Sequence, residues 1–492
     1  MASPLMLGLG LAFICSSIFY LAVSKSRRDI LLSRVPFQRR RTSGATTPPR
    51  DLAAAKKAAF DDKAPYKDTY PPSRRSTLAV VANVMSPSQK KKLGSLKPNP
   101  KAYDLQIPFE ASYQVQPMPA YLPAEFSVEE ARALGNFPDY PTLSGVPLPN
   151  PYKEFDIKKA LPRPYRPFRW VYHQTMSYKK MEPDWWLEIE NTYVERVNQR
   201  KDLFAKYGKM VLDYMPGTEL GCKEIMEIAL QFYCARYPQH FSLSKDKTVF
   251  YNGLLKNETN LKLTHPLHVL LQNVPEDFAM VYRNPEDGYY YFRSGVICSS
   301  LGWNVATKLG MRMDEIHVPI PDYKEKMQFS MDRYFAKMPT DSPIQRGSWG
   351  LEIDQPLFMP PGDPHEEHRM KQMPDLPLSR CHLRVDWQTL RRLPLSSSVV
   401  FNFKALFTPV EEFRDEPYVP SVLLKVLKEG KKSLMEYKNT WHVEHVVIPA
   451  MEQYEREQKE KGLMDKDWEV RTLDEYPYFP GWEEKWHRQQ GY

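Results

Sequence analysis

The pattern of apolar and polar positions divides the chain into three stretches. Residues 4–23 (PLMLGLGLAFICSSIFYLAV) carry no charge and have the length of a transmembrane helix. Residues 24–163 are basic and proline-rich without sustained periodicity, which is typical of a largely disordered linker. Helical and alternating periodicities return after residue 164, so we expect the folded domain at residues 164–440 and a C-terminal helix with an aromatic tail at 441–492.

Helical spacing is clearest in the first part of that domain. Apolar residues recur every three or four positions from Asp184, a candidate N-cap, through Leu203. A second stretch with this spacing covers Lys223 to Ala235. Residues 420–439 predict a further helix that Gly430 interrupts.

Strand-like segments occupy the remainder of the domain. Two β-rich runs flank Asn284–Gly288 (NPEDG) and predict a hairpin. We expect further strands at Gly347–Leu351, Cys381–Val385 and Ser398–Leu406. Helices alternating with hairpin-connected strands indicate an α+β fold with an antiparallel sheet.

The distribution of charge near the N-terminus indicates what this part of the chain contacts. The net charge of +8 is concentrated in the basic residues between Lys25 and Arg41, which favours an anionic membrane over nucleic acid. By the positive-inside rule we expect a single-pass protein whose folded part faces the cytosol, at the endoplasmic reticulum rather than the mitochondrion. A cleaved signal peptide is the alternative, although no basic residue precedes Pro4.

Two kinds of site are absent from the sequence. The five cysteines form no CxxC pair, so we expect neither a disulfide framework nor a zinc site. The sequence contains neither GxGxxG after a strand nor GxxxxGK, which argues against nucleotide binding by those motifs. Any reducing power must therefore come from a partner protein.

Four segments carry a resemblance to a known family: SYKKMEPDWWLEIENTYVERVNQRKDLF, EDFAMVYR, IHVPIPDYKEKMQFSMDRYF and LRVDWQTLRRLPLSSSVVFNFKALFTPVEEF. In order and spacing they resemble the haem-dependent oxidative N-demethylase alpha-subunit-like family, over about residues 165–440. The resemblance implies a PAS-like antiparallel sheet flanked by helices, bound haem b, and oxidation of a small methylated amine. It also implies electrons from NADPH, delivered by separate flavin and iron–sulfur partners. Trp387 stands where bacterial relatives usually have Arg.

Haem iron needs an axial donor, and histidine is the commonest choice for oxygen chemistry. His317 is our first candidate, because the prolines of HVPIP fix the backbone that presents its ring, and a loop-packing histidine is the alternative. His265 follows, with His268 one helical turn later. His365 and His368 lack the HExxH pattern. Cys298 and Cys381 are expected to be core residues.

Polar residues in three places are candidates for catalysis and for binding the cofactor. A strand at LRVDWQ places Arg384, Asp386 and Gln388 on one face, so Arg384 and Asp386 are candidates for the oxygen or substrate side. Arg391 and Arg392 are candidates for pairing with haem propionates. Glu276 and Asp277 are candidates for binding a substrate ammonium or for capping the hairpin.

Three functions compete at this stage. The leading hypothesis is a membrane-anchored haem oxidoreductase that performs a monooxygenase-type oxidation of a small amine or metabolite, with the bilayer and a reductase as partners. A non-catalytic haem-binding gas or redox sensor is the second, because fold does not dictate chemistry. The third is a lumenal glycoenzyme using the sequon Asn257–Glu258–Thr259, which the charge bias opposes.

Overall fold

A computed structural model describes residues 133–168, 176–284, 287–360, 362–470 and 477–492. The α-helices of this part are α1 Tyr140–Ser144, α2 Tyr193–Tyr207, α3 Glu219–Arg236, α4 Pro266–Asn273, α5 Val305–Lys308, α6 Met313–Ile316, α7 Gln328–Lys337, α8 Glu366–Arg369, α9 Val419–Glu429, α10 Lys432–Lys438, α11 Trp441–Glu460 and α12 Trp482–Gln489. The strands are β1 Lys179–Lys180, β2 Leu212–Tyr214, β3 Phe241–Leu243, β4 Val249–Asn252, β5 Asn257–Asn260, β6 Asp277–Arg283, β7 Tyr290–Val296, β8 Ile344–Ile353, β9 Cys381–Arg392 and β10 Val399–Pro409.

A seven-stranded antiparallel sheet forms the centre of the domain. Its strand order is β1-β8-β9-β10-β6-β7-β2, and β3-β4-β5 form a separate small sheet. The long strands β8, β9 and β10 extend the three segments that the sequence predicts as strands. The α+β class with an antiparallel sheet is therefore confirmed, whereas its PAS-like character stays a prediction.

The predicted hairpin joins β6 to β7. Its turn is closed where the Gly288 N–H donates to the Asn284 carbonyl at 2.8 Å, and Gly288 has the positive φ of 75° that glycine tolerates. Gly295, on β7, is needed for close packing of the two strands rather than for a turn. A Cβ there would lie 2.7 Å from the Phe278 carbonyl oxygen, so the two strands pack closely only around glycine.

The predicted helices form with shifted ends. The first begins at Tyr193 rather than at Asp184, because Pro183–Trp185 forms a 3-10 turn before it. Helix α3 covers the second predicted stretch and buries one side of itself completely. Gly430 separates α9 from α10, as the sequence predicts, with Val426 accepting its N–H.

Packing on the large sheet is one-sided. One face of β8 and β9 carries Trp349, Leu351, Val385 and Trp387, and these pack with α9 and α11 into a hydrophobic cluster. We call this the covered face. At the other end of the same face, Trp186 packs against Phe232 of α3. The opposite side of β8–β10 is half-buried over much of its length and leaves room for a site.

Segments outside the predicted domain bounds also pack onto it. Phe137, Tyr140 and Phe155, within the predicted linker, are buried in the core. Phe479 and Trp486, in the predicted tail, are buried as well. These contacts add apolar surface to the fold at both ends of the described chain, and the predicted domain boundaries are not otherwise tested.

The expected fold class included a transmembrane helix before the domain, and this part is corrected. Within the residues that the structure describes, no helix is both long enough and apolar enough to cross a bilayer. Helix α11 is the longest helix that the structure describes, at 20 residues, and many of its side chains are charged. The predicted span at 4–23 lies outside the described residues. The cytosolic orientation and the choice of membrane stay predictions.

Candidate functional site

Strict alternation along β8, β9 and β10 builds a second, polar face of the sheet. Residues paired across these strands share a face, and they form three rows. The rows are Arg346–Gln388–Phe403, Ser348–Asp386–Ala405 and Gly350–Arg384–Phe407. We call this surface the open face. The predicted alternation at LRVDWQ is thus confirmed, with Val385 and Trp387 on the covered face.

Short and long side chains alternate on the open face. Ser348 and Ala405 lie on either side of Asp386 in one row, and Gly350 follows Ser348 along β8. A Cβ at Gly350 would lie 3.3 Å from the Lys438 carbonyl oxygen, so α10 packs directly against the sheet there. Between two short neighbours, the Asp386 side chain stays 34% exposed.

His317 lies next to this face, at the C-terminal end of α6. Its Nδ1 is 2.6 Å from the Met313 carbonyl oxygen, and its ring stacks on Tyr323 at a centroid distance of 5.1 Å. Burial, with smaller contributions from nearby Lys308 and Arg346, lowers the pKa of His317 to about 4. The ring is therefore neutral at physiological pH. Since Nδ1 must donate to the carbonyl, Nε2 carries the lone pair, as a metal-ligating histidine requires.

Arg384 and Asp386 lie together on the open face. The Arg384 guanidinium donates to Asp386 Oδ1 from two nitrogens, at 3.0 and 3.1 Å. It also donates to the carbonyls of Pro356, at 2.7 Å, and of Ser299. Arg384 is buried and its donors are occupied by these acceptors, whereas Asp386 is half-exposed. We infer that Arg384 positions Asp386 and that Asp386 meets the ligand.

The two candidates for propionate binding lie elsewhere. Arg391 points to the covered face, where its guanidinium lies 4.5 Å from the Trp186 ring and burial lowers its pKa to about 10. Arg392 donates to the carbonyls of Met338, Ser397 and Phe335, which tie α7 to the sheet. Neither arginine is placed to meet a ligand beside His317, because one lies on the wrong face and the other is occupied.

The acidic pair before β6 is buried. Asp277 accepts from the N–H groups of Cys298 and Ser299 at 2.8 Å each, and from Arg200 at 2.5 Å. Glu276 Oε2 accepts from the Asn402 amide at 2.7 Å on the covered face, and burial raises the pKa of Glu276 to about 8. Both carboxyls are enclosed, so these positions support the sheet and the Ser299 segment rather than a substrate.

The other candidate ligands of iron fit less well. His265 caps α4 through Nδ1 and stacks on Tyr214 at 4.1 Å. His268 is fully buried against Phe204. Burial raises the pKa of the Cys298 thiol to about 12, which disfavours a thiolate ligand. Across the described ranges, no group of three or more His, Cys, Asp and Glu side chains is arranged to bind a metal ion by itself.

A comparison with known protein families shows which family this chain is related to. Residues 177–448 match a family model described as "Haem-dependent oxidative N-demethylase, alpha subunit-like". The match covers more than half of the 492 residues and contains every element of the open face. The chain belongs to this family. Membership places it among haem-dependent oxidoreductases, and haem is the cofactor that the family description names.

The donor set fits a haem. His317 is a neutral histidine whose Nδ1 is held by the Met313 carbonyl, and Trp303 and Phe403 present half-buried aromatic rings on the same side of the sheet. A cavity on the covered face beside Arg391 is lined by no histidine or cysteine. Trp387 packs beneath the sheet, away from the open face, so the departure from Arg at this position leaves the open face intact.

Sequence reasoning missed two cations near His317. Lys308 comes from α5 and Arg346 from β8, and they approach the histidine only in the folded chain. For Arg346, the sequence did contain one indication of its position on the sheet. The alternation of β8 begins at Ile344 rather than at Gly347, and a strand of that length places Arg346 in register with Gln388.

Proposed function

We propose that the open face binds haem with His317 Nε2 as the axial ligand, and that the chain oxidises a small N-methylated amine. The hydrogen bond from Nδ1 to Met313 carries this proposal, since it fixes the tautomer and the ring orientation at once. Tyr323 covers one side of the ring and limits its rotation. A ligand held this way needs little reorganisation on metal binding.

Bound haem would supply the activation of dioxygen that demethylation needs. Asp386 would hold the substrate ammonium, because its carboxylate is half-exposed on the same face and its second oxygen stays open beside Arg384. Arg384 fixes the orientation of Asp386 through its anchors at Pro356 and Ser299. Loss of the methyl group as formaldehyde leaves the demethylated amine as product.

Electrons would come from a separate reductase. The sequence contains none of the glycine-rich nucleotide motifs, and the described residues contain no cluster of ligands for an iron–sulfur centre. A flavin and iron–sulfur partner fed by NADPH fits both observations. It would have to approach the edge of the sheet nearest His317.

The first test is a titration of the full chain with haem, followed in the Soret region. We expect a saturable Soret band in the parent chain. In His317→Ala the band should shift and the affinity should fall at least about tenfold, because a metal–nitrogen bond and its second-shell support are lost. His487→Ala, which removes an exposed histidine of α12, is the matched control and should behave as the parent.

Catalysis is tested separately on Asp386→Asn. With a chemical reductant, dioxygen and dimethylamine, we expect formaldehyde release by the parent and a fall of about 10- to 100-fold in kcat/KM for the variant, with an unchanged Soret band. Asparagine keeps the acceptor for Arg384 and removes the charge. Haem binding without formaldehyde release would favour the sensor function, and a folded parent without a Soret band would refute haem binding.

A further inference from the structure

The cavity beside Arg391 lies between the covered face and the segments packed on it. Its walls come from residues 140–149, from residues 181–186, from α3 and from β9. The cavity volume is about 30 Å³, which is more than the roughly 10–15 Å³ that one water molecule needs. Most of the lining side chains are apolar, and Arg391 is the only charged residue among them. The cavity therefore has room for a small group beside a single cation.

Arg391 is buried in the wall of this cavity without a counter-ion in contact. The residue is 4% exposed, and its guanidinium carbon lies over the Trp186 ring, 4.5 Å from the centroid. Within the described part of the chain, Arg391 Nε has no hydrogen-bond partner and the guanidinium makes no salt bridge. A buried cation in this state has lost its hydration without a replacement, so it favours binding of an anion.

Glu224 of α3 is close enough to raise the pKa of Arg391, yet its carboxylate is engaged elsewhere. It accepts from the N–H groups of Leu395 at 2.6 Å and Ser396 at 2.9 Å. Burial has the larger effect and lowers the pKa of Arg391 to about 10, which leaves the guanidinium charged at pH 8 and below. The positive charge in the cavity is therefore available to an anion from solution.

Gln231 of α3 brings a second polar group to the cavity. Its amide nitrogen donates to the Pro138 carbonyl at 2.9 Å, which leaves Oε1 as an acceptor. Oε1 is buried and has no hydrogen-bond partner among the residues that the structure describes. Because Gln231 and Arg391 line the same small cavity, one ligand can contact both. Such a ligand needs an anionic acceptor for the guanidinium and a donor for the amide oxygen.

We propose that this cavity binds hydrogencarbonate, with two oxygens accepting from Arg391 and the hydroxyl donating to Gln231 Oε1. The anion is small, planar and singly charged, and a guanidinium suits a pair of oxygens in one plane. Its hydroxyl supplies the donor that a simple carboxylate such as formate lacks. Neither haem nor His317 takes part in this site, which lies on the other face of the sheet.

The test is equilibrium dialysis of the full chain against ¹⁴C-labelled hydrogencarbonate at pH 8, in sealed cells at constant ionic strength. We expect one site per chain with a dissociation constant on the order of 1 mM, because so few atoms limit the affinity. Formate should compete at least about tenfold more weakly than unlabelled hydrogencarbonate, since it leaves Gln231 Oε1 unpaired.

Two positions in the cavity give variants with matched controls. Arg391→Met keeps an apolar contact with Trp186 and should lower the affinity at least about tenfold, because the charged two-point contact is lost. Leu148 lines the opening of the cavity and is 48% exposed. Leu148→Glu places a carboxylate there and should weaken binding by a similar factor, whereas Leu148→Gln, of the same size without the charge, should match the parent. Thermal unfolding of each chain without ligand establishes that it is folded.

The other outcomes would overturn this assignment. A folded parent without saturable binding would refute it, and so would binding that Arg391→Met retains. Formate that competes as well as hydrogencarbonate would refute the role of Gln231 and the choice of ligand. Arg391→Met should also bind haem as the parent does, because Arg391 and His317 lie on opposite sides of the sheet. A variant that loses affinity for haem while keeping hydrogencarbonate would place a haem propionate at Arg391 instead.

Discussion

Buried polar side chains have different partners on the two faces of the large sheet. The covered face contains a chain of hydrogen bonds between buried side chains: Trp186 Nε1 donates to Thr389 at 3.2 Å, Thr389 to Asn402 at 3.1 Å, and Asn402 to Glu276 at 2.7 Å. Next to the open face, Lys308 makes no salt bridge among the described residues, and burial lowers its pKa to about 8. Paired groups stabilise the fold, whereas cations left without a partner cost stability until a ligand binds.

The core beneath the covered face contains the strongest pairing. Glu416, with no exposed surface, accepts two hydrogen bonds of 2.7 Å from Arg166 and one of 3.1 Å from Lys485. These three side chains join the segment before residue 168, the end of β10 and helix α12. Charges from three distant parts of the sequence thus hold the two ends of the described chain against the sheet.

The largest effect is expected from breaking this network. Glu416→Gln leaves buried Arg166 without its counter-charge, while Lys485 keeps Asp415 at 2.8 Å and Glu412 at 3.6 Å. The free energy of unfolding should therefore fall by about 3–5 kcal/mol, mainly through Arg166. Urea unfolding followed by tryptophan fluorescence measures it. Glu457→Gln is the matched control, because Glu457 makes the same two-point contact of 2.7 Å with Arg414, whose side chain is 54% exposed. Similar losses in both variants would contradict the dependence on burial.

The sequence predicts the strands and one face of the site for a local reason. Alternation in β9 is complete within a few residues, so Arg384 and Asp386 fall on the same face whatever the rest of the chain does. The same rule separates Arg391 from Arg392, since neighbours in a strand point to opposite faces. Local geometry alone therefore argues against a joint role for those two arginines in binding one ligand, and their role as propionate partners stays a prediction.

The cations near His317 were not predictable in this way. Lys308 belongs to α5 and Arg346 to β8, which are far apart in sequence, and neither residue alone indicates a site. Their approach to His317 depends on the order of the strands, which periodicity does not specify. His317 was predictable as a candidate because its proline-rich setting is local, whereas its tautomer needed the position of Met313.

A smaller effect, dependent on pH, is expected at Glu276 on the covered face. Burial raises the pKa of Glu276 to about 8 in the folded chain, so the folded state holds a proton that the unfolded state releases above about pH 4.5. The stability of the parent should therefore fall as the pH rises from 5 to 8. Glu276→Gln removes this dependence and keeps an acceptor for Asn402.

The comparison of the two chains isolates that single group. We expect the variant to gain on the order of 3 kcal/mol relative to the parent between pH 5 and pH 8, measured by urea unfolding at both values. Other titrating groups, including Glu224, are common to both chains and cancel in the difference. A difference between the two chains that stays constant with pH would show that Glu276 does not hold its proton in the folded state.

The smallest effect, and the one of opposite sign, is expected on the open face. Lys308→Met removes a half-buried ammonium that has no salt bridge in the described structure and keeps the apolar contact with Trp303. The haem-free chain should therefore become more stable by about 0.5–1 kcal/mol. Thermal unfolding without haem measures the gain. The control is Lys432→Met, which should not change because the Lys432 side chain is 92% exposed.

The sign of this result decides how the two faces differ. A gain in stability from removing Lys308 would mean that the open face is strained by its own charge and that the lysine is kept for a ligand, as in sites where function opposes stability. A loss of more than about 1 kcal/mol would mean that Lys308 contributes to the fold through its contact with Trp303. In that case the open face would be stabilised by pairing in the same way as the covered face, with an aromatic ring in place of a carboxylate.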